Sequence, residues 1–120
     1  MPENNMIQTP DENAFEGMSW FKKINAYIAS NIQNDLTIDA IMQQFRLSRT
    51  TLERVFIKHT GQSYKQYVET VRIEKAKELM VMEGYMVKEA MYATGYKNRG
   101  TFRYAFKKKY GKLPVHFKSR

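Results

Sequence analysis

Two segments of this 120-residue chain repeat one another at an offset of 50 residues. Residues 48–61 align with residues 98–111, and five of the 14 positions are identical. The identical pairs are Arg49/Arg99, Thr51/Thr101, Phe56/Phe106, Lys58/Lys108 and Gly61/Gly111. Each copy starts with a good helix-capping residue, Ser48 or Asn98, and ends with a glycine suited to stop a helix. The repeat therefore predicts two equivalent helices within one fold.

Helical signals also fill the rest of the chain after residue 17, and no stretch shows convincing strand alternation. Capping residues predict the starts of five helices, at Ser19, Thr37, Ser48, Ser63 and Asn98. A short helix over residues 86–94 and a last one near Pro114 complete the set. We therefore expect an all-α fold of about seven helices.

In each copy of the repeat, a short helix and a tight turn precede the capped helix, which is the order of a helix-turn-helix unit. The second, recognition helix of such a unit enters the major groove of DNA. An alternative is a helical bundle whose similar helices share only packing rules. Four arginines expected on outer faces favour DNA, because they contribute nothing to a core: Arg49, Arg54, Arg99 and Arg103.

These signals divide the chain into four parts. Residues 1–17 have no apolar period, and we expect them to form a flexible N-terminal arm or linker. Residues 18–62 and residues 84–120 each hold one helix-turn-helix subdomain, and residues 63–83 form a long linker helix between them.

The charge of the chain is distributed unevenly around a net value of +8. Residues 1–45 contain two Lys/Arg and six Asp/Glu, a net charge of −4, whereas residues 46–120 contain 18 and six, a net charge of +12. A basic run can be only a solvated surface. One-signed charge mixed with aromatic residues, as in residues 97–120, fits a nucleic acid better. We expect double-stranded DNA as the partner, and a non-specific nucleic-acid binder is the alternative.

The sequence argues against several other classes of function. The absence of cysteine excludes disulfides and thiolate catalysis. No apolar run approaches the roughly 18 residues of a membrane span, and no secretory signal is visible, so we expect a cytoplasmic protein without a membrane partner. His59 and His116 lie far apart with no carboxylate motif beside them, and no nucleophile or phosphate-cradling motif is present. We therefore expect no metal, no cofactor and no enzymatic activity.

Short motifs in a fixed order identify a family. The first half contributes Leu36-Thr-Ile-Asp-Ala-Ile, Leu47-Ser-Arg-Thr-Thr-Leu-Glu-Arg-Val-Phe and Thr60-Gly-Gln-Ser. The long helix contributes Tyr67-Val and Val71-Arg-Ile-Glu-Lys-Ala-Lys-Glu-Leu-Met. The second half contributes Gly95-Tyr, Thr101-Phe, Ala105-Phe-Lys-Lys-Lys-Tyr-Gly and Pro114. In this order and at these spacings they resemble the DNA-binding domain of the AraC/XylS family of transcription regulators, over about residues 20–117.

The resemblance implies two helix-turn-helix subdomains joined rigidly by the long helix. Both recognition helices would insert into adjacent major-groove segments on one face of an asymmetric promoter site. The DNA-binding unit would then act as a monomer, and RNA polymerase would be a candidate partner.

The chain departs from the family pattern at four places. Arg46 occupies a turn position where the family often has glycine, and Tyr104 stands where an arginine is usual. Gly100 replaces a common small polar residue, and Ala90-Met91 reverses the usual order of a bulky and a small residue.

Eight residues are predicted to face DNA bases: Arg49, Thr50, Glu53 and Arg54 in the first recognition helix, and Arg99, Gly100, Arg103 and Tyr104 in the second. Arg54 can donate two hydrogen bonds to guanine, and Glu53 can accept one from cytosine N4. The alternatives are a surface ion pair between Glu53 and Arg49 or Arg54, and a Tyr104 that only covers the core.

Seven residues are predicted to bind phosphates, which orient the protein without reading sequence. They are Ser48, Thr51, Lys58, Asn98, Thr101, Lys107 and Lys108. Arg72 on the long helix is expected to make a structural pair with Glu69 or Glu78. We expect the first recognition helix to supply more of the specificity, and the second to supply more phosphate affinity.

Overall fold

A computed structural model describes residues 14–117 of the chain, with side chains from residue 18. These residues form six α-helices and one 3₁₀ helix, without a strand among them. The α-helices are α1 (Ala14–Ser30), α2 (Ile38–Phe45), α3 (Arg49–Thr60), α4 (Tyr64–Glu83), α5 (Val87–Ala93) and α6 (Arg99–Tyr110), and the 3₁₀ helix is Pro114–Phe117. The predicted all-α fold class is confirmed.

The start of the first helix differs from the prediction. Helix α1 begins at Ala14, so Ser19 lies inside the helix and does not cap it. Serine is only mildly unfavourable in a helix interior, and Ala14 and Glu16 are good helix formers, so the helix extends upstream of the capping signal. The first 13 residues of the predicted N-terminal arm lie outside the described residues.

The described chain forms two compact units. The first contains helix α1 and residues Leu36–Tyr67, and the second contains Asn31–Asp35 and the chain from Val68 onward. Helix α4 contributes its residues up to Tyr67 to the first unit and the remainder to the second.

The core of the first unit forms around Phe56 of α3. Its ring contacts those of Tyr64 and Phe21 edge-on, at centroid distances of 5.2 and 5.3 Å. The Tyr64 hydroxyl donates a buried hydrogen bond of 2.9 Å to the carbonyl oxygen of Leu36. Trp20 of α1 is half-buried and meets Phe45 edge-on at 6.4 Å.

The core of the second unit combines buried aliphatic residues of α4 and α5 with aromatic rings in and beside α6. Phe102 packs against Tyr96 at 5.2 Å, and Phe106 packs against Tyr110 at 5.0 Å and Phe117 at 5.4 Å. The ammonium group of a lysine on α4, Lys77, lies 4.6 Å from the centre of the Tyr110 ring. Because a cation over a ring face is attracted to it, this contact adds to the attachment of α4 to the C-terminal end of α6.

Arg72 of α4 holds the segment that follows α1. Its Nε donates to the carbonyl oxygen of Ile32 at 3.2 Å, and its Nη2 donates to that of Asn34 at 2.8 Å. Gly95, at a φ of +92°, lies against this junction. A Cβ atom at Gly95 would lie 2.8 Å from the Ile32 carbonyl oxygen and 3.0 Å from the Arg72 guanidinium carbon. Only glycine fits here, since both the backbone conformation and the space exclude a side chain.

We predict that Gly95→Ala lowers the free energy of unfolding by about 2–4 kcal/mol, from left-handed backbone strain and the clash with a main-chain oxygen. Gly84→Ala is the matched control, because Gly84 has a φ of +74° but nothing within 4 Å of an added Cβ. The control should lose only about 1–2 kcal/mol, for the backbone alone. Urea unfolding of the three proteins measures both values, and equal losses would show that the junction at Arg72 is not tight.

Candidate nucleic-acid interface

The two copies of the repeat fold into equivalent helices. Helices α3 and α6 each contain 12 residues and each end at a left-handed glycine, Gly61 and Gly111. The Ser48 hydroxyl accepts a hydrogen bond from the backbone amide of Thr51 at 3.1 Å, and the Asn98 side-chain oxygen accepts one from Thr101 at 2.9 Å. Both predicted caps and both predicted helix ends are confirmed.

One face of each helix is buried by the same three positions of the repeat. Leu52, Val55 and Phe56 of α3 and Phe102, Ala105 and Phe106 of α6 are at most 2% exposed. Because these positions recur at helical spacing, the polar residues between them must point away from the core. The outer faces are therefore fixed by burial of the inner ones.

The outer face of α3 carries four of the predicted DNA-facing side chains. Arg49, Thr50, Arg54 and Lys58 are exposed, and the capped first turn of the helix starts at Arg49. Its early backbone amides lack acceptors within the helix, which makes a helix start favourable for a phosphate. Thr51 is half-buried, and its hydroxyl accepts a hydrogen bond from the Ser48 hydroxyl at 3.1 Å, so both residues take part in the cap.

Glu53 lies at the edge of this face and has a partner within the protein. One of its carboxylate oxygens accepts a hydrogen bond of 2.9 Å from the backbone amide of Tyr64, the first residue of α4. The side chain is half-buried, unlike those of Arg49 and Arg54. The sequence analysis did not predict this contact, because it considered only DNA bases, Arg49 and Arg54 as partners of Glu53.

Ile57 is a residue of the outer face that the sequence reasoning missed. Its side chain is 53% exposed, one helical turn after Arg54 and Glu53. The signal was available, because the 50-residue offset aligns Ile57 with Lys107, a predicted phosphate ligand. An apolar group at this position can contact a thymine methyl but cannot bind a phosphate.

The outer face of α6 carries Arg99, Gly100, Arg103 and Lys107, all of them exposed. Tyr104 is 70% exposed, so it does not cover the core. The Lys108 ammonium lies 5.7 Å from the centre of the Tyr104 ring and 3.1 Å from Oε1 of Glu69 on α4. Lys108 therefore forms an ion pair within the second unit and also lies beside Tyr104 on the outer face.

Lys109, next along α6, lies 3.2 Å from Oε2 of Glu74 on the same long helix. Both pairs are solvent-exposed, so each contributes little to stability and weakens with salt.

Burial, helped by Glu74, raises the pKa of Tyr110, and Lys109 opposes that rise. Burial, helped by Glu69 and opposed by Arg72, raises the pKa of Tyr96 to about 12. Both phenols are therefore neutral at physiological pH beside the basic helix.

A tight turn precedes each of the two helices. Arg46 ends α2 in the left-handed conformation, with a φ of +57° and a ψ of +45°, and its amide donates to the carbonyl oxygen of Met42. Before α6, the turn contains Gly95 and a buried Thr94, whose hydroxyl donates to the carbonyl oxygen of Ala90 at 2.8 Å. Ala90 and Met91 are both buried, so their reversed order is accommodated in the core of the second unit.

Within residues 14–117, no group of three or more His, Asp or Glu side chains could hold a metal ion. His59 stacks on Phe21 at a centroid distance of 5.6 Å, and its Nε2 is buried, with no hydrogen-bond partner in the described part of the chain. His116 is exposed, in the 3₁₀ helix near the C-terminal end of the described residues. None of the described helices is long and apolar enough to cross a bilayer.

A comparison with known families matches residues 41–120 to a family described as a helix-turn-helix domain, of the AraC type. The chain belongs to this family of transcription regulators. The match covers both capped helices and the long helix between them. Members of the family are DNA-binding regulators and not enzymes, which confirms the predicted family and the predicted absence of enzymatic activity.

Individual relatives agree with this assignment. The chain is 33% identical over 92 residues to an uncharacterised HTH-type transcriptional regulator of Pseudoalteromonas carrageenovora, covering 77% of this chain and 54% of the relative. It is 26% identical over 98 residues to the regulator GadX of Escherichia coli K12, covering 82% of this chain and 35% of GadX. The chain thus spans between a third and about half of these curated relatives.

A solved structure also resembles this AraC-type domain. The C-terminal domain of AraT, a response regulator from Geobacillus stearothermophilus, superimposes with a TM-score of 0.74 at 27% identity, over 80% of each chain. Against this family background, Arg46 stands out, because it places a side chain at a left-handed position that glycine occupies without steric strain.

We predict that Arg46→Gly raises the free energy of unfolding by about 1 kcal/mol, because it removes the strain of a Cβ in the left-handed region. Arg46→Ala is the control, since it removes the charge and keeps the Cβ, and it should change stability by less than about 0.5 kcal/mol. Thermal or urea unfolding distinguishes the two variants. An equal effect of both would assign the cost of this position to the arginine charge.

Proposed function

We propose that this domain is a sequence-specific regulator that inserts α3 and α6 into adjacent major-groove segments of an asymmetric promoter site in bacterial DNA. The observation that supports this most is the pair of equivalent capped helices, each with a buried apolar face and exposed arginines opposite it. Two recognition helices in one chain provide both halves of a site that other helix-turn-helix proteins read as dimers. The DNA-binding unit is therefore proposed to act as a monomer.

Base reading is proposed for seven exposed residues in the N-terminal halves of the two helices: Arg49, Thr50, Arg54, Arg99, Gly100, Arg103 and Tyr104. An arginine directed at a guanine makes two parallel hydrogen bonds, the commonest specific contact in the major groove. At Gly100 there is no side chain, so the DNA backbone or a base can approach α6 closely. Tyr104 would offer an exposed ring edge to a sugar or a thymine methyl.

Phosphate binding is proposed for the helix starts at Ser48 and Asn98, for Thr51 and Thr101, and for Lys58, Lys107 and Lys108. The capping side chains each accept a hydrogen bond from one amide of their helix, and the earlier amides would donate to the DNA backbone. Lys108 would have to leave Glu69 or share its charge with it, so Lys107 is the stronger phosphate ligand of the two.

The proposed arrangement retains the predicted subdomains, residues 18–62 and 84–120, with residues 63–83 as the helix that joins them. RNA polymerase is a proposed partner at promoters, and the cytoplasm is the compartment where promoter DNA is available. The alternative function, non-specific binding by charge alone, relies on the lysine-rich end of α6.

Selection from a random-sequence DNA pool, followed by sequencing, tests the proposal. We expect an enriched motif with two blocks about one helical turn, 10–10.5 base pairs, apart. An affinity that falls as the salt concentration rises, with no sequence enriched at moderate salt, would instead support the charge-only alternative.

We predict that Arg54→Ala relaxes base preference in one block of the motif only, with a loss of about 1–3 kcal/mol of discrimination at the affected base pair. Lys58→Ala is the control, because the loss of a phosphate ligand should weaken binding to all DNA sequences alike. It should also reduce the slope of log K against log[salt] by about 1. Titrations of the selected site and of single-base variants measure both effects. Uniform weakening by Arg54→Ala would reassign Arg54 to the DNA backbone.

A further inference from the structure

We propose that Glu53 is a positioning residue for recognition helix α3: its carboxylate binds the first backbone amide of α4 and does not read a base. The inference rests on the proposed function, since it assigns one residue of the proposed reading helix to a different task. Its central observation is the hydrogen bond of 2.9 Å from the Tyr64 amide to Oε1 of Glu53.

The donor in this bond is one for which a carboxylate is well suited. Tyr64 is the first residue of α4, and the amides in the first turn of a helix have no acceptor within the helix. The N-terminal end of a helix also carries partial positive charge, which favours a nearby anion. A hydrogen bond between a charged acceptor and such an amide is stronger than a neutral one.

Tyr64 is held firmly in the first unit by buried contacts. Its side chain is 1% exposed, its hydroxyl donates 2.9 Å to the carbonyl oxygen of Leu36, and its ring meets Phe56 edge-on. Phe56 holds α3 to Tyr64 from the buried face, and Glu53, three residues earlier, holds it from the edge of the outer face. With two attachments on different sides, α3 has little freedom to roll about its axis.

The repeat supplies an independent argument. At the 50-residue offset, Glu53 aligns with Arg103, and Tyr64 aligns with Pro114. Proline has no backbone N–H, so the second copy has no donor at this position, and the corresponding acceptor is replaced by an exposed arginine. Donor and acceptor are thus present together in one copy and absent together in the other, as expected if Glu53 serves the Tyr64 amide.

The sign of the electrostatic effect separates a Glu53 that positions α3 from one that makes no favourable contact. A carboxylate near the DNA backbone repels phosphates, so its removal should tighten binding if nothing else changes. If the carboxylate positions α3, its removal should weaken binding in spite of the lost repulsion. Glutamine is the informative replacement, because it removes the charge but keeps an oxygen that can accept from the Tyr64 amide.

The experiment compares Glu53→Ala, Glu53→Gln and Glu78→Ala with the unmodified chain, at a temperature where all four are folded by circular dichroism. Glu78→Ala controls for the change in net charge, because Glu78 is exposed on α4, where it pairs with Lys75. Three quantities are measured: the dissociation constant for the selected site, the base preference in a repeated selection, and hydrogen exchange of the Tyr64 amide by NMR.

We expect Glu53→Ala to weaken binding of the selected site by roughly tenfold, with the same motif enriched, and to speed exchange of the Tyr64 amide by about tenfold or more. Glu53→Gln should restore both values to within roughly twofold, with the motif unchanged, and Glu78→Ala should leave both unchanged.

A changed preference in Glu53→Gln at a single base pair, from cytosine towards adenine, would overturn the inference and make Glu53 a base reader. Unchanged exchange of the Tyr64 amide in Glu53→Ala would overturn it as well. A failure of the unmodified chain to enrich any motif is a different result, which contradicts the proposed function, while the amide exchange still reports on the contact between α3 and α4.

Discussion

Burial of three apolar side chains on each of two charged helices is the constraint on which the rest of this structure depends. Leu52, Val55 and Phe56 fix the rotation of α3, and the equivalent residues of α6 fix that helix in the same way. Each of the buried Leu, Val and Phe side chains contributes about 1.5–3 kcal/mol, far more than an exposed ion pair. The outward direction of the arginines is therefore a consequence of packing, and it needs no attraction between the charges and any part of the protein.

The two helices are attached to their surroundings in different ways beyond this shared packing. Helix α3 is held at its outer edge by a hydrogen bond from the start of α4 to Glu53. Helix α6 is held near its C-terminal end by aromatic packing and by two exposed ion pairs, Lys108–Glu69 and Lys109–Glu74. Salt weakens the ion pairs but not the aromatic contacts. Lys108 is also a proposed phosphate ligand, so bound DNA would compete with Glu69 for it.

Most features of the fold that were predicted correctly depend on local signals in the sequence. Ser48 and Asn98 cap their helices, Gly61 and Gly111 end them, and the periodic apolar residues lie inside, because each of these features depends on a few neighbouring residues. The predicted start of α1 was wrong. Ser19 is a residue type that often caps helices, but the residues on both sides of it are helical, so it lies inside α1.

The candidate interface was less predictable, because contacts between distant residues decide the role of a side chain. The bond between Glu53 and the Tyr64 amide joins residues 11 apart across a turn, and nothing in the local pattern around Glu53 indicates it. The comparison of repeat copies does carry part of that information, since Arg103 and Pro114 replace the pair. The same comparison places Ile57 on the outer face.

The most direct test of the account is an NMR titration of the arginine side-chain Nε–Hε resonances with a duplex of about 20 base pairs that carries the selected motif, long enough for two major-groove segments. The account predicts large shifts for Arg54 on α3 and Arg103 on α6 with this duplex, and much smaller ones with a scrambled duplex of equal length. Equal shifts with both duplexes, or shifts confined to one of the two helices, would contradict the claim that both capped helices read the sequence.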